Sequence, residues 1–244
     1  MLLAIDIGNT NLKAAIFKGN KIIKQFCLPI KTYSKKKFLK IVHKYTFSDI
    51  AICSVVPKLT AALLHDLKTL SGKTPRIIGK DLMIPIKNYY QNPKQLGQDR
   101  LINAFAVMKI YCGPAIIIDS GSTITFDILS KKNTYLGGLI LPGLNALLKN
   151  LNDKTAQLPL IKLAKPNSLI GTNTKDCILS GVVFGTAALT KELIDKLKNQ
   201  LGKNTSVIGT GGNIALLKKY SGIKIKIDKN LTLKGINFTY ASKH

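Results

Sequence analysis

Two short stretches of this sequence share the pattern Ile-Asp-x-Gly-x-Thr. Residues 5–10 read Ile-Asp-Ile-Gly-Asn-Thr, and residues 118–123 read Ile-Asp-Ser-Gly-Ser-Thr. Each follows an apolar run and leads into a second segment rich in strand-forming residues. The two aspartates, Asp6 and Asp119, lie 113 residues apart in a chain of 244. This spacing predicts an internal duplication in which each half opens with the same β-hairpin.

The segments that follow each hairpin support the duplication. A third strand is predicted next in both halves, at residues 21–27 and 135–141, and helical patterns then alternate with strands. A Gly113-Pro114 pair separates the halves. We therefore expect an α/β protein with two related domains, residues 1–113 and residues 114–244, each built on a mixed sheet.

Composition limits the possible partners. The chain has 37 Lys+Arg against 12 Asp+Glu, a formal net charge of +25, and 45% hydrophobic residues, which is enough for a buried core. Such a basic chain invites a nucleic-acid interpretation. Yet only Arg76 and Arg100 are arginines and the other 35 basic residues are lysines. Planar, bidentate recognition of phosphates and bases favours arginine, so the composition argues against nucleic acid as the main partner.

The cysteines and the N-terminus indicate the compartment. The four cysteines lie far apart and lack the spacing of a zinc site or a disulfide scaffold, so we expect buried, reduced thiols at Cys27, Cys53, Cys112 and Cys177. The N-terminus lacks the basic region of a signal peptide. We find no apolar run approaching the roughly 18 residues of a membrane span. The expectation is a soluble, cytoplasmic protein without a membrane partner.

The first hairpin has the composition of a phosphate-binding loop. Its Gly, Asn and Thr residues expose backbone N–H groups and short polar side chains, and such concavities bind phosphate oxygens. Gly8 allows close backbone approach, Lys13 supplies a positive charge, and Asp6 can hold a hydrated Mg²⁺ against the phosphates. An ordinary hairpin with an Asx-turn is the alternative. The candidate ligand contacts here are Asp6, Ile7, Gly8, Asn9, Thr10, Asn11, Leu12 and Lys13.

Two later segments favour the functional interpretation over the ordinary turn. Residues 119–123 repeat the hairpin and add the hydroxyl of Ser122. Residues 209–213, Gly-Thr-Gly-Gly-Asn, lie between a predicted strand and a predicted helix, where glycines let a flat ligand lie against the backbone. Glycine-rich turns of this kind are common, so the loop alone is a weak signal. Following the two hairpins, it is interpreted as the nucleotide-base end of an ATP site.

This ordered trio resembles the acetate and sugar kinase, Hsp70 and actin superfamily, in which two ribonuclease-H-like domains clamp ATP between phosphate hairpins and an adenosine loop. Residues 90–93, Tyr-Gln-Asn-Pro, and residues 96–100, Leu-Gly-Gln-Asp-Arg, resemble the tyrosine and Gly-x-Asp-Arg signature of type III pantothenate kinases. Residues 119–122, 137–143, 171–174 and 180–181 also fit that family in order and spacing. The resemblance covers essentially the whole chain and implies an actin-like ATPase fold.

The resemblance also implies a reaction and a set of roles. The family transfers the γ-phosphoryl group of ATP to the primary hydroxyl of pantothenate, the first step toward coenzyme A. Asp99 matches its catalytic base, and Asp119 matches its monovalent-cation position. Mg²⁺, K⁺ (or NH₄⁺) and a homodimer are implied in the same way. The positions expected at the pantothenate are Tyr90, Gly97, Gln98, Asp99, Arg100 and Thr174.

Several alternatives stay open at this point. Ser122 stands where the family usually has threonine, and its hydroxyl keeps the expected nucleotide-phosphate contact. Tyr89 competes with Tyr90 as the substrate contact, since both are amphipathic aromatics. Asp127 is interpreted as structural. The rival functions are another kinase or polyphosphatase of the superfamily, and a non-catalytic transcription accessory protein associated with nucleic acid, which the +25 charge keeps open.

Overall fold

The computed structural model describes residues 1–242, which form two units. Unit 1 comprises Met1–Tyr111 together with the segment that begins at Asn230, and unit 2 comprises Cys112–Lys229. The division after Tyr111 lies close to the expected boundary between residues 113 and 114. The end of the chain differs from the expectation, because the segment from Asn230 packs in unit 1. Residues 243 and 244, the end of the expected second domain, lie outside the described residues.

Strands and helices alternate in the order that the sequence patterns predict. The strands in the described residues are β1 (Leu2–Ile7), β2 (Asn11–Lys18), β3 (Lys21–Pro29), β4 (Asp49–Ser54), β5 (Arg76–Ile77), β6 (Ala115–Ser120), β7 (Thr123–Leu129), β8 (Tyr135–Pro142), β9 (Ser206–Thr210) and β10 (Lys226–Ile227). The α-helices are α1 (Lys35–Val42), α2 (Pro57–Ser71), α3 (Gln98–Ile110), α4 (Leu144–Lys154), α5 (Thr174–Leu201), α6 (Ile214–Ser221) and α7 (Leu231–Ala241). Short 3-10 helices lie at Ile30–Thr32 and Pro93–Gln95.

The two units contain the same sheet. Unit 1 has the strand order β3-β2-β1-β4-β5, and unit 2 has the order β8-β7-β6-β9-β10. In each unit the first three strands are antiparallel neighbours and the last two are parallel to the first strand. The duplication and the mixed α/β sheets predicted from the repeated hairpin are therefore confirmed.

The first strand of unit 1 is apolar from Leu2 to Ile5 because helices cover both of its faces. Leu3, Ile5 and Ile7 belong to a core cluster with residues of α1 and α2. On the opposite face, α7 packs on β1 and β4, and Ala4 is fully buried. A continuous apolar run of this kind is typical of a strand buried on both faces.

Helix α7 joins unit 1 through specific contacts with α3 and with the β2–β3 turn. The Thr232 hydroxyl donates to Asn103 Oδ1 at 2.9 Å, and Asn237 Nδ2 donates to the carbonyl oxygen of Gly19 at 3.1 Å. A Cβ atom on Gly235 would lie 2.6 Å from both the backbone oxygen and Cγ2 of Ile102, so glycine permits the close approach of the two helices. These contacts join residues far apart in sequence, which local patterns do not reveal.

Unit 2 is organised around α5. Its buried residues, among them Leu179, Val183 and Ile194, lie on one side of a helix of 28 residues. Contrary to the expectation from sequence, α5 is long and apolar enough to cross a membrane by length and composition alone. Half of its most apolar window is buried inside the described structure, and the core helix of a folded domain passes the same test.

The close contact between α7 and α3 gives a stability prediction with a matched control. Gly235→Ala should lower the free energy of unfolding by about 1–3 kcal/mol, because the added methyl group overlaps the Ile102 backbone. Gly185→Ala, at an open position within α5, should raise it by roughly 0.5–1 kcal/mol, since alanine is the better helix former. Urea denaturation measures both. Stabilisation by Gly235→Ala would contradict the described packing of α7.

Candidate active site

The first hairpin places Asp6 next to last in β1. Asp6 pairs with Lys13 across the antiparallel ladder and with Cys53 of β4 across the parallel one. The Gly8 N–H donates to the carbonyl oxygen of Asn11 at 3.0 Å and closes the turn. A Cβ atom on Gly8 would lie 3.5 Å from that oxygen, an ordinary contact. The packing of the turn itself therefore leaves room for a side chain at this position.

A second acidic residue of unit 1 stands at the start of α3. Gly97 is the N-cap residue and Asp99 lies in the first turn, where Asp99 Oδ1 accepts a hydrogen bond from the Arg100 backbone N–H at 2.9 Å. A Cβ atom on Gly97 would lie 2.5 Å from the same Oδ1. A side chain at position 97 would therefore displace the Asp99 carboxylate. This packing explains why glycine stands two residues before the aspartate.

Residues around Asp99 are held by close packing. The side chain of Gln98 lies directly over Gly79, where a Cβ atom would be 2.5 Å from Gln98 Cδ, and Gly79 has a φ of +81°. Arg100 is buried, with 7% exposure, and is therefore not a solvated surface side chain. Tyr90 is half-buried, whereas Tyr89 is 62% exposed and has the Lys87 ammonium 5.3 Å from its ring centroid.

The thiol of Cys53 is affected by the charges of both Asp6 and Asp99. Its side chain is fully buried, and burial raises the pKa of the thiol well above its ordinary value. The negative charges of Asp6 and then Asp99 raise that pKa further. Asp6 is therefore the strand neighbour of this thiol at the carboxyl end of β4, and the charge of Asp99 also reaches it. Sequence reasoning missed this residue, since a lone cysteine in a strand has no distinguishing signal.

The hairpin of unit 2 repeats the geometry of the first. Asp119 is next to last in β6 and pairs with Thr125 on one side and Thr210 on the other. The Gly121 N–H donates to the carbonyl oxygen of Thr123 at 2.9 Å, and Ser122 is exposed at the tip. Gly143, the N-cap of α4, packs so tightly against the Gly121 and Ser122 carbonyl oxygens that a Cβ atom would overlap them. The start of α4 thus supports this hairpin.

The glycine-rich loop after β9 serves two purposes. Gly211 has a φ of +91°, and a Cβ atom there would lie 2.5 Å from Asp119 Oδ1. Gly209 packs beneath Ile214 and Ile225 in the same way. A Cβ atom on Gly212 would meet no other described atom within 4 Å, so this residue offers open backbone to a flat ligand. Two of the glycines predicted to face a ligand are therefore required by packing.

Two further residues from the sequence analysis have clear surroundings in unit 2. Asp127 is fully buried and accepts hydrogen bonds from the Tyr135 hydroxyl at 2.8 Å and the Thr125 hydroxyl at 3.1 Å, which agrees with a structural role. Thr174 is the exposed first residue of α5, after the N-cap Asn173.

The candidate cation positions have oxygen atoms of the right kind. Among the described residues, no group of three or more His, Cys, Asp or Glu side chains could hold a metal by itself. Mg²⁺ commonly keeps several waters and takes one or two carboxylates together with substrate phosphates. Asp6, at the end of β1 beside the hairpin turn, offers one such carboxylate. Asp119, close to the backbone of Gly211 in the adjoining loop, offers a carboxylate for a monovalent cation.

Solved structures share this fold. An activator of 2-hydroxyisocaproyl-CoA dehydratase from Clostridium difficile, with bound ADPNP, matches at a TM-score of 0.56 and 13% identity, with 99% of this chain and 96% of that chain covered. A Campylobacter jejuni protein described as a Baf family transcriptional activator matches at a TM-score of 0.60 and 24% identity, with coverage of 99% and 98%. The duplicated sheets and hairpins define an actin-like ATPase fold of the kind found in sugar kinases.

Within that class the chain belongs to the type III pantothenate kinase family. The family model matches residues 2–196. A type III pantothenate kinase from Persephonella marina is 35% identical over 254 residues, covering 99% of this chain and 98% of the relative. Another, from Dehalococcoides mccartyi strain 195, is 33% identical over 249 residues, covering 98% and 96%. The resemblance seen in the motifs is confirmed.

The cysteines differ from the expectation and provide a test. All four thiols are free, but only Cys53 is buried, whereas Cys27, Cys112 and Cys177 are exposed. We predict that iodoacetamide at pH 8 labels those three in the native protein and leaves Cys53 unmodified, because its thiol is both inaccessible and kept protonated. Peptide mass spectrometry before and after unfolding measures this. Native labelling of Cys53 at the rate of the others would disprove its burial.

Proposed function

We propose that this protein is an ATP-dependent pantothenate kinase that forms 4′-phosphopantothenate. The oxygen of the substrate's primary hydroxyl forms a bond to the γ-phosphorus, and the bond between that phosphorus and the oxygen of the departing ADP breaks. The observation that carries the proposal is the position of Asp99 in the first turn of α3, where its carboxylate packs against Gly97 and accepts a hydrogen bond from the Arg100 N–H. Family membership over nearly the whole chain supports it.

Asp99 serves as the base of this reaction. Phosphoryl transfer passes through a loose transition state, so the protein mainly positions the reactants and offsets charge. A carboxylate is sufficient because the hydroxyl proton needs to leave only late in the reaction. The Arg100 N–H uses one oxygen of Asp99, and a carboxylate has two acceptor oxygens. Asp99 accepts the hydroxyl proton and is thereby neutral when the product leaves.

The hairpins bind the nucleotide in this proposal. Gly8, Asn9 and Thr10 offer backbone and short polar donors to phosphate oxygens, and Lys13 adds a positive charge across the ladder from Asp6. The Ser122 hydroxyl contacts a phosphate oxygen from the tip of the second hairpin. Bound cations would neutralise phosphate charge, Mg²⁺ at Asp6 and K⁺ or NH₄⁺ at Asp119.

The pantothenate contacts are assigned to the family motif. Arg100 is suited to pair with the substrate carboxylate, since a guanidinium binds a carboxylate bidentately. Its burial strengthens that pairing, because charge attraction is greater away from water. Tyr90, Gly97, Gln98 and Thr174 complete the set. Tyr90 is favoured over Tyr89, because a half-buried ring is held in place whereas Tyr89 is 62% exposed.

Homodimerisation and a cytoplasmic location belong to the same proposal. Both are properties that the family resemblance implies, and the reduced thiols agree with a cytoplasmic protein. A nucleic-acid-associated role is not favoured, since the relatives that share a third of their residues with this chain are kinases by name.

The base assignment is tested with a pantothenate-dependent ADP-release assay. Asp99→Asn should lower kcat by at least about 10²-fold, because the amide cannot accept the hydroxyl proton. Asp153→Asn provides the matched control, since Asp153 is an exposed residue of α4 that pairs locally with Lys149 at 2.7 Å. That control should keep kcat within about twofold. Normal turnover by Asp99→Asn would remove Asp99 from the role of base.

The same assay separates this function from other kinases of the fold. A panel of sugar and carboxylate acceptors, each supplied with ATP, should give ADP release with pantothenate alone. Faster turnover of another acceptor would reassign the substrate while leaving the kinase class intact.

The monovalent-cation assignment gives a further prediction. ADP release should rise when K⁺ replaces Na⁺ at constant ionic strength, and Asp119→Asn should raise the K⁺ concentration for half-maximal activity by about tenfold, since it removes a charged ligand. Titrations of the wild type, Asp119→Asn and the control Asp153→Asn provide the measurement. An unchanged K⁺ midpoint in Asp119→Asn would place the cation elsewhere.

A further inference from the structure

A groove of about 600 Å³ lies in unit 1 between strand β3 and helix α1. Phe26 and Leu28, at alternate positions of β3, share its apolar part with Ile41 and Tyr45. Lysines make up most of the remaining lining. They are Lys24, Lys37, Lys40 and Lys44, with Gln25 as the one uncharged polar residue.

The lysines of α1 follow the helical period. Lys37 and Lys40 lie on one face of α1 with Ile41, Lys44 follows in the turn after the helix, and all three lysines are exposed. Phe26 and Leu28 are half-buried against the core cluster of unit 1. The groove therefore combines an apolar floor with a row of positive charges.

The charge around the groove is not balanced locally. Residues 7–48 contain ten lysines and no aspartate or glutamate. The acid that approaches α1 from α2, Asp66, is engaged by Lys35 at 2.5 Å, and neither residue lines the groove. An anionic partner would supply the missing charge.

One wall of the groove is also a sheet edge. β3 is the terminal strand in the order β3-β2-β1-β4-β5, and in the described residues its strand neighbour is β2 alone. An edge strand presents backbone N–H and C=O groups at every second residue to a further strand. Addition of an extended peptide to such an edge is an established mode of recognition.

We propose that this groove binds an acidic peptide segment in extended conformation. The segment pairs with the outer edge of β3 as a sixth strand and places apolar side chains over Phe26, Leu28 and Ile41. Its carboxylates contact Lys24, Lys37, Lys40 and Lys44. The proposal concerns a partner protein and is independent of the kinase reaction, since none of these residues belongs to the assigned site.

Charge and backbone together favour this occupant over the others. A second copy of this edge would bring lysines against lysines, which opposes pairing. Nucleic acid would use the positive charge but not the backbone groups of β3. A peptide uses the charge, the apolar floor and the edge.

The test uses fluorescence anisotropy with a labelled seven-residue peptide that has valine at its third and fifth positions and glutamate elsewhere. Binding is measured to the full chain at about 150 mM NaCl, where attraction by charge alone is strongly reduced. The triple variant Lys37→Gln, Lys40→Gln, Lys44→Gln should raise Kd about tenfold. The matched control Lys162→Gln, Lys203→Gln, Lys218→Gln, at exposed lysines of unit 2, should stay within about twofold.

A backbone control separates strand addition from charge. The same peptide with N-methylated backbone amides keeps its charges but cannot donate to β3, and its Kd should rise about tenfold. Equal affinity of the N-methylated peptide, or equal loss in both triple variants, would overturn the proposal. A single-stranded RNA or an anionic lipid vesicle that binds through Lys37, Lys40 and Lys44 while the peptide does not would overturn it in favour of that ligand.

Discussion

The arrangement of the candidate site depends on the parallel pairing of the first strand with the fourth in each unit. Because β1 and β4 run in the same direction, Asp6 and Cys53 come to lie side by side at the same edge. The same pairing of β6 with β9 places Asp119 beside Thr210. Ligands of open α/β sheets bind at the carboxyl ends of the parallel strands. The antiparallel hairpin then adds a turn at that edge, so each carboxylate stands next to a loop proposed to bind phosphate.

Glycine acts in two different ways at these edges. Gly97, Gly143 and Gly211 are glycine because another part of the same unit occupies the space of a side chain, the Asp99 carboxylate in the first case and backbone or Asp119 in the others. Gly8, Gly121 and Gly212 have room for a Cβ atom. In the first group, Gly97 and Gly211 fit against acidic side chains and Gly143 supports the second hairpin, whereas the second group leaves space beside the backbone. Sequence shows both groups as the same letter, so their roles separate only in three dimensions.

Much of the fold follows from the sequence, and the exceptions have a physical cause. The repeated hairpin predicted the duplicated mixed sheets because strand alternation and turn residues are local properties. The helix that begins at Leu231 was assigned to the wrong half because its partners, Asn103 and Gly19, are more than 120 residues away. The exposure of Cys27, Cys112 and Cys177 was likewise missed, since cysteine is usually buried and nothing local marks the exceptions. The residues expected around Asp99 could be named from their motif, but not the contact of Gly97 that orients the carboxylate.

The uneven distribution of charge can be understood from the distance over which charges act. At physiological ionic strength the screening length is about 8 Å, so exposed lysines influence mainly their own surroundings. The lysines of α1 therefore shape the surface beside β3, and the net charge of +25 does not act on a ligand as a single field. The aspartates of the candidate site act on their immediate surroundings. Asp119 packs against Gly211, and the charges of Asp6 and Asp99 raise the pKa of the buried Cys53 thiol. A basic surface and an acidic site coexist in this chain because water and salt separate their effects.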